Sequence, residues 1–175
     1  MRARMQRTVR LMLVACGLVL LLPVAWADAA TTGLPPADRI VVRKAERALY
    51  LMRDDTVLRR FRVALGLEPE GHKAREGDFR TPEGRYALVE RNTDSDFFLS
   101  IRISYPNDAD RARARRNGYA PGSAIMIHGQ PNNPTHSQEY YRRTDWTNGC
   151  IAVSNADMVD IWLMTARGTP IEILP

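Results

Sequence analysis

Trp146-Thr147-Asn148-Gly149-Cys150-Ile151-Ala152-Val153 lies one polar loop downstream of Ile125-Met126-Ile127-His128-Gly129. The second stretch reads as an apolar strand that ends at His128 and opens into a loop at Gly129. In the first, Cys150 follows a glycine, which permits tight backbone geometry and close approach of a ligand. A thiol attacks carbonyl groups as its thiolate, and an imidazole can take its proton. Backbone amides around Gly149 and Cys150 are candidate donors to an oxyanion. The spacing therefore nominates Cys150 as a nucleophile and His128 as its general acid and base. Gly149, Asn148, Thr147 and Gly129 surround them as candidate oxyanion and substrate residues.

The weight of Cys150 depends on the other end of the chain. Arg2, Arg4, Arg7 and Arg10 precede the apolar run from Leu11 to Val24, and Ala25-Trp26-Ala27 has small-x-small form. These are the three parts of a cleaved signal peptide, residues 1–27, which predicts export to the periplasm or cell envelope. The apolar run is shorter than the roughly 20 residues of a spanning helix. The chain has two cysteines, and Cys16 falls inside this run. Leu13-Val14-Ala15-Cys16 also reads as a lipoprotein processing site. A cysteine acting as a small hydrophobe is preferred, because the apolar run continues past it. With the leader gone, Cys150 is alone and no intramolecular disulfide can form. Oxidising compartments disfavour idle thiols, so an unpaired one calls for a chemical role.

The leader also explains the charge. The chain carries +5 formally, and loss of four leader arginines with no acid leaves +1. The basic balance thus belongs to the leader and gives no reason to expect a nucleic-acid partner.

Residues 28–37, with Thr31, Thr32, Gly33, Pro35 and Pro36, read as a linker, and residues 38–175 as one domain. Short segments rich in Val, Ile, Leu, Tyr and Phe recur at 39–43, 48–53, 57–65, 85–91, 97–104, 124–127 and 170–174. Turn residues separate several of them, including Glu68-Pro69-Glu70-Gly71 and Thr81-Pro82-Glu83-Gly84. The fold class expected is mainly β, a mixed sandwich or barrel with a few short helices. One helix is expected at Asp108–Arg116, where Asp108 and Asp110 offset the arginines of a solvated face. A second begins at Ser154 or Asn155, with Ser154 and Asp157 as a capping pair and Met158, Ile161, Trp162 and Thr165 on one face. Its N-terminal dipole is a candidate influence on Cys150.

Other candidates weigh less. His136 is a rival base, but it sits in a proline-bracketed loop, and catalytic groups want rigid support. His72, in a Gly/Lys/Arg-rich turn, reads as solvent-exposed. Three scattered histidines lack zinc-ligand spacing, so no metal is expected. Ser123 lacks a nucleophile-elbow context, and no glycine-rich phosphate loop appears. The loop from Gln130 to Trp146 is either a lid or an Ω-loop packed on its own aromatics; both stay open.

At this point the motifs converge. His128-Gly129, then Thr147-Asn148-Gly149-Cys150-Ile151, resembles the catalytic core of L,D-transpeptidases of the YkuD-like type. Gly77-Asp78-Phe79-Arg80-Thr81-Pro82-Glu83-Gly84 is similar to the upstream turn of that family, and Gly168-Thr169-Pro170-Ile171-Glu172-Ile173 to its terminal strand. Three ordered motifs over about residues 38–174 are far more specific than one. Two positions depart: Asn148 stands where the family usually has His, and Ala152 where it commonly has Arg.

The resemblance implies a mainly β fold with a groove around the cysteine. It implies a peptidoglycan stem tetrapeptide as donor, a Cys150 thioester, and transfer to an acceptor amine on another stem or a wall-attached protein. No cofactor is implied, and a monomer is expected. Water as acceptor would make a hydrolase of the same fold, trimming stems or releasing wall-linked proteins; Asn148 and Ala152 leave that open. A noncatalytic peptidoglycan-binding module is the alternative of another class.

Overall fold

Ile40 and Val42 alternate with Arg39, Val41 and Arg43, and that period of two folds as strand β1 (Arg39–Arg43), with the two aliphatics fully buried. The computed structural model describes residues 33–175. The expected signal peptide, Cys16 and the first part of the linker lie outside the described residues. The end of the linker is docked: Ala37 is buried, and its N–H donates to the Met164 carbonyl at 2.7 Å.

Seven more strands follow: β2 (Ala48–Arg53), β3 (Thr56–Arg62), β4 (Gly84–Ser95), β5 (Phe98–Ile103), β6 (Met126–His128), β7 (Ile151–Ala152) and β8 (Pro170–Leu174). They form one sheet in the order β3-β2-β1-β8-β4-β5-β6-β7. The β1–β8 and β6–β7 pairs are parallel, the others antiparallel. The two ends of this order meet. Just past β3, Ala64 and Ala152 exchange N–H···O bonds of 2.9 and 2.8 Å. The architecture is thus mainly β, an open sheet whose two ends are joined by the Ala64–Ala152 and Gly66–Thr147 bridges.

Among the described residues three helices accompany it: α1 (Asp108–Arg116), α2 (Gln138–Arg143) and α3 (Asn155–Met164). Met158, Ile161 and Met164 of α3 pack with Ile101, Ile103, Ile171 and Ile173 of the sheet in one core. The Ser154 hydroxyl caps α3 by accepting from the Asp157 N–H at 3.1 Å. Strand β3 ends at Arg62, short of the expected residue 65. Val63–Leu65 are buried but leave the β2 ladder to reach β7 and the α2 loop. Strand β7 and helix α2 were not expected: two and six residues are too short to show a period.

Two sequence expectations change at α1. Asp110 does pair with an arginine of the helix, Arg113 at 3.7 Å, but its carboxylate is buried rather than set on a solvated face. It accepts from the Tyr86 hydroxyl at 3.0 Å and the Asn107 N–H at 3.0 Å, the second bond being half of a capping box. His72 is half-buried rather than solvent-exposed. Its Nδ1 lies 2.9 Å from the Glu83 carbonyl oxygen and 3.1 Å from the Glu83 N–H, and its Nε2 lies 3.1 Å from Asp110 Oδ1. Burial and the nearby Arg113 charge hold the pKa of His72 below its ordinary value, against the opposing pull of Asp110 and the Glu83 carbonyl.

Asp110→Ala removes a capping bond and one of the two acceptors of the Tyr86 hydroxyl, which keeps the Glu83 carbonyl at 3.1 Å. A loss of about 2–4 kcal/mol is expected. Asp108→Ala, at an exposed position, should stay within about 0.5 kcal/mol. Urea unfolding of the two variants checks the contrast.

Candidate active site

The parallel register places Ile127 beside Ile151 and His128 beside Ala152. Cys150, one residue before β7, is thereby carried to the mouth of β6. Cys150 and His128 line one cavity of about 260 Å³ with Phe97, Ala124, Met126, Trp146, Thr147 and Asn148. The histidine of the signature and its cysteine are therefore brought together by adjacent strands.

His128 is 3% exposed. Its Nδ1 lies 2.7 Å from the Gly129 carbonyl oxygen. A carbonyl only accepts, so Nδ1 carries the proton and Nε2 keeps a free lone pair. Phe97 packs on the ring with centroids 4.6 Å apart, and Trp146 meets it edge-on at 5.6 Å. Burial lowers the pKa of His128 to about 4, against a smaller opposite pull from the Gly129 carbonyl. The imidazole is therefore neutral at physiological pH and able to accept a proton.

Cys150 is half-buried, and its Sγ lies 3.7 Å from the Ala124 carbonyl. Burial raises its pKa; the Met126 backbone and the Lys73 ammonium favour the thiolate without outweighing that. The resting site thus holds a thiol and a neutral imidazole, not an ion pair. The start of α3 lies next to the His128 segment, where the Val153 N–H donates to the His128 carbonyl at 2.9 Å and the Gln130 N–H to Asn155 Oδ1 at 2.8 Å. Ser154 and Asp157 line a separate cavity of about 220 Å³ with Arg60, Arg62, Arg142 and Ala152.

The turn before Cys150 is held by Thr147. Its hydroxyl donates to the Cys150 carbonyl at 2.7 Å and accepts from the Gly149 N–H at 3.1 Å. The Gly149 amide is therefore engaged. Among the described residues the Cys150 N–H has no acceptor, which leaves it free to serve a ligand oxyanion. Gly149 has φ +122, and an added Cβ would lie 2.6 Å from the Arg80 carbonyl oxygen. Thr147 is buried, whereas Asn148 is exposed at the cavity rim. At Gly129 a Cβ would stand 2.6 Å from Asn155 Oδ1, so that glycine serves close packing behind His128.

His136 is exposed and stacks on Tyr140, with centroids 4.2 Å apart. It is not among the residues lining the cavity. The loop from Gln130 to Trp146 packs on its own aromatics: Tyr141 sits 5.1 Å from Trp146, whose Nε1 donates to the Tyr141 carbonyl at 3.1 Å. Phe97 and Met126 complete the lining; sequence pattern marks them as strand residues, not as site residues. Among the described residues no three His, Cys, Asp or Glu side chains stand together to hold an ion.

Residues 37–173 match the YkuD family, L,D-transpeptidase catalytic domain. A 62-residue stretch, 34% of this chain and 23% of the relative, is 47% identical to YafK of Escherichia coli. The helical cell shape determining protein Pgp2 of Campylobacter jejuni superposes with a TM-score of 0.57 at 23% identity, over 81% of this chain and 50% of that one. An L,D-transpeptidase mutant of Enterococcus faecium gives a TM-score of 0.52 at 14% identity, over 80% and 50%. The chain spans about half the length of these two structures and less than a quarter of YafK.

A neutral pair has a distinct pH signature. His128 stays unprotonated above about pH 4, and Cys150 stays a thiol through neutrality. Alkylation of Cys150 by iodoacetamide should climb about tenfold per pH unit to beyond pH 8, because the thiolate is the reactive form. A plateau reached below pH 7, or a step near 6.5, would contradict a neutral resting pair. Intact-mass kinetics reads either outcome.

Proposed function

The chain belongs to the YkuD family of L,D-transpeptidase catalytic domains, and we propose that it is an exported enzyme of the cell envelope that forms a Cys150 thioester with a peptidoglycan stem and passes it to an amine. One observation carries the reading: the histidine and the cysteine of the two motifs line the same cavity, with Nε2 of His128 free to accept a proton.

In this reading Nε2 takes the thiol proton as Sγ of Cys150 attacks the carbonyl carbon of the third stem residue. The carbonyl electrons move to oxygen, where the Cys150 N–H opposes the developing charge. Collapse breaks the bond to the terminal D-alanine, whose amine leaves with the proton held on Nε2. An acceptor amine then gives a proton to Nε2, attacks the thioester, and releases the thiol. Bond and proton balance close without a cofactor.

Proton transfer is uphill in the resting site, since burial lowers the base and raises the acid. The step is therefore driven when the negative charge passes on to the substrate oxygen, in line with transition-state rather than ground-state stabilisation. Thr147 holds the turn, Gly129 orients the imidazole through its carbonyl, and Asn148 at the rim faces incoming substrate. The Asn148 amide both donates and accepts, which suits a peptide backbone. The domain acts as a monomer, with another stem or a wall-attached protein supplying the amine.

Incubation with purified muropeptides should give cross-linked dimers by mass. Only trimmed monomers would replace transfer with hydrolysis. His128→Ala should slow the reaction about 10²- to 10⁴-fold by loss of general acid–base help. Cys150→Ala should abolish it, together with the mass adduct that carbapenems leave on the wild-type protein. No adduct on wild type would favour a noncatalytic module.

A further inference from the structure

Behind the nucleophile turn lies a second cavity that the reaction above does not use. It measures about 480 Å³ and is lined by Phe79, Arg75, Arg80 and Tyr119, with Glu68, Asp78, Ala74 and Gly77. Phe79 is 40% exposed and Tyr119 51%. Phe79 also has φ +55, a left-handed conformation that a bulky residue adopts only under constraint. The constraint is visible. The Phe79 carbonyl accepts from the Glu68 N–H at 3.2 Å, and only a glycine at 66 leaves room for it, since a Cβ there would lie 2.0 Å away. The fold thus holds an aromatic ring outward in a strained backbone, where a polar residue would cost less. Strain of this kind is kept where surrounding structure imposes it, commonly at ligand sites.

The charge of the cavity points the same way. Among the described residues Arg75 and Arg80 have no carboxylate within ion-pair distance. Asp78 is spent on Lys73 and on the amides of Ala74, Arg75 and Arg80. Glu68 is the one remaining acid of the lining. The Arg75 guanidinium lies 5.9 Å from the Tyr119 ring centroid, which orients it while leaving its donors available. Tyr119 follows α1, whose Arg115 and Arg116 are exposed, and Asp110 is turned into the core where it cannot neutralise them. Finally, the cavity adjoins the reacting centre through the chain: the Arg80 carbonyl is the group against which Gly149 packs.

We propose that the Phe79–Tyr119 cavity is an exosite for a carboxylate-bearing peptide, a second stem of the polymer whose first stem occupies the Cys150 cavity. The proposal rests on the wall-polymer reading and deepens it. The Arg75 guanidinium, held over Tyr119, provides planar, multi-donor recognition of a carboxylate, and Arg80 adds positive charge to the lining. Two exposed aromatic rings cover the apolar flanks of the same peptide. A polymeric substrate held at two places dissociates more slowly than a single stem.

The test uses Cys150→Ala protein, which binds without turnover, and a soluble stem tetrapeptide beside its form with carboxylates capped as amides. Calorimetric titration should show the free tetrapeptide binding at least tenfold more tightly than the capped one, with affinity falling as salt rises. Arg75→Glu and Tyr119→Ala should each weaken polymer binding by tenfold or more in sacculus pull-downs. Neither, placed in the otherwise wild-type chain, should change the rate of Cys150 acylation by a carbapenem. Phe79→Gly relieves the backbone strain and removes the ring, so it should raise the melting temperature while weakening polymer binding. Equal binding of capped and free peptide, or unchanged polymer binding in Arg75→Glu and Phe79→Gly, overturns the exosite. Loss of acylation in the wild-type chain instead overturns the catalytic reading, so the two failures are distinguishable.

Discussion

The packing of the Gly149 backbone on the Arg80 carbonyl is the contact from which the site is assembled. No side chain at position 149 could pass within 2.6 Å of that oxygen, so only a glycine lets the two turns meet. The same segment is seated at its other end by Gly66, whose N–H donates to the Thr81 hydroxyl at 3.1 Å. Asp78 organises the interior of the turn by accepting from the amides of Ala74, Arg75 and Arg80 and from Lys73. Thr147 continues the chain of contacts, with its N–H on the Leu65 carbonyl and its hydroxyl bridging Gly149 and Cys150. Asp145 anchors the return of the loop by accepting from the Leu65 N–H and from Arg47. Two motifs about seventy residues apart in sequence therefore form one wall.

Burial then sets the electrostatics. A ring enclosed by Phe97 and Trp146 loses its hydration, and the charged imidazolium is the form that suffers. The thiol suffers in the same sense, and neither the Met126 backbone nor Lys73 offsets it. Both components therefore rest in their neutral forms. A protonated thiol is also a slower target of oxidants than a thiolate. The Nδ1–H bond to the Gly129 carbonyl fixes which ring nitrogen keeps its lone pair, a task that a carboxylate performs in Ser-His-Asp triads.

Much of the fold was legible because its strands are half-buried and regular. The boundaries of β1, β2, β8 and α1 follow from alternation, turn residues and charge. Strand β7 was not legible: two residues, Ile151 and Ala152, carry no period, and only pairing with β6 and with Ala64 makes them a strand. Helix α2 escaped for a related reason, since its six residues show one buried side chain, Tyr141. His72 looked solvent-exposed because its neighbours are polar. Its burial comes from Asp110 on a helix some forty residues away, which local pattern does not reach.

Residue identity and order alone determined the strand-rich class, the pairing of Cys150 with His128, and the glycine-marked turns that ligand chemistry would need. Each is encoded locally, in side-chain type, in spacing and in what a missing Cβ permits. Tertiary structure decided the rest. It chose the tautomer of His128 and assigned the Gly149 amide to Thr147 rather than to a ligand. It also turned Asp110 inward and left Arg75, Arg80 and two aromatic rings facing one cavity. These outcomes depend on which distant groups compete for each donor, acceptor and patch of solvent, and that competition is settled only when the chain has closed on itself.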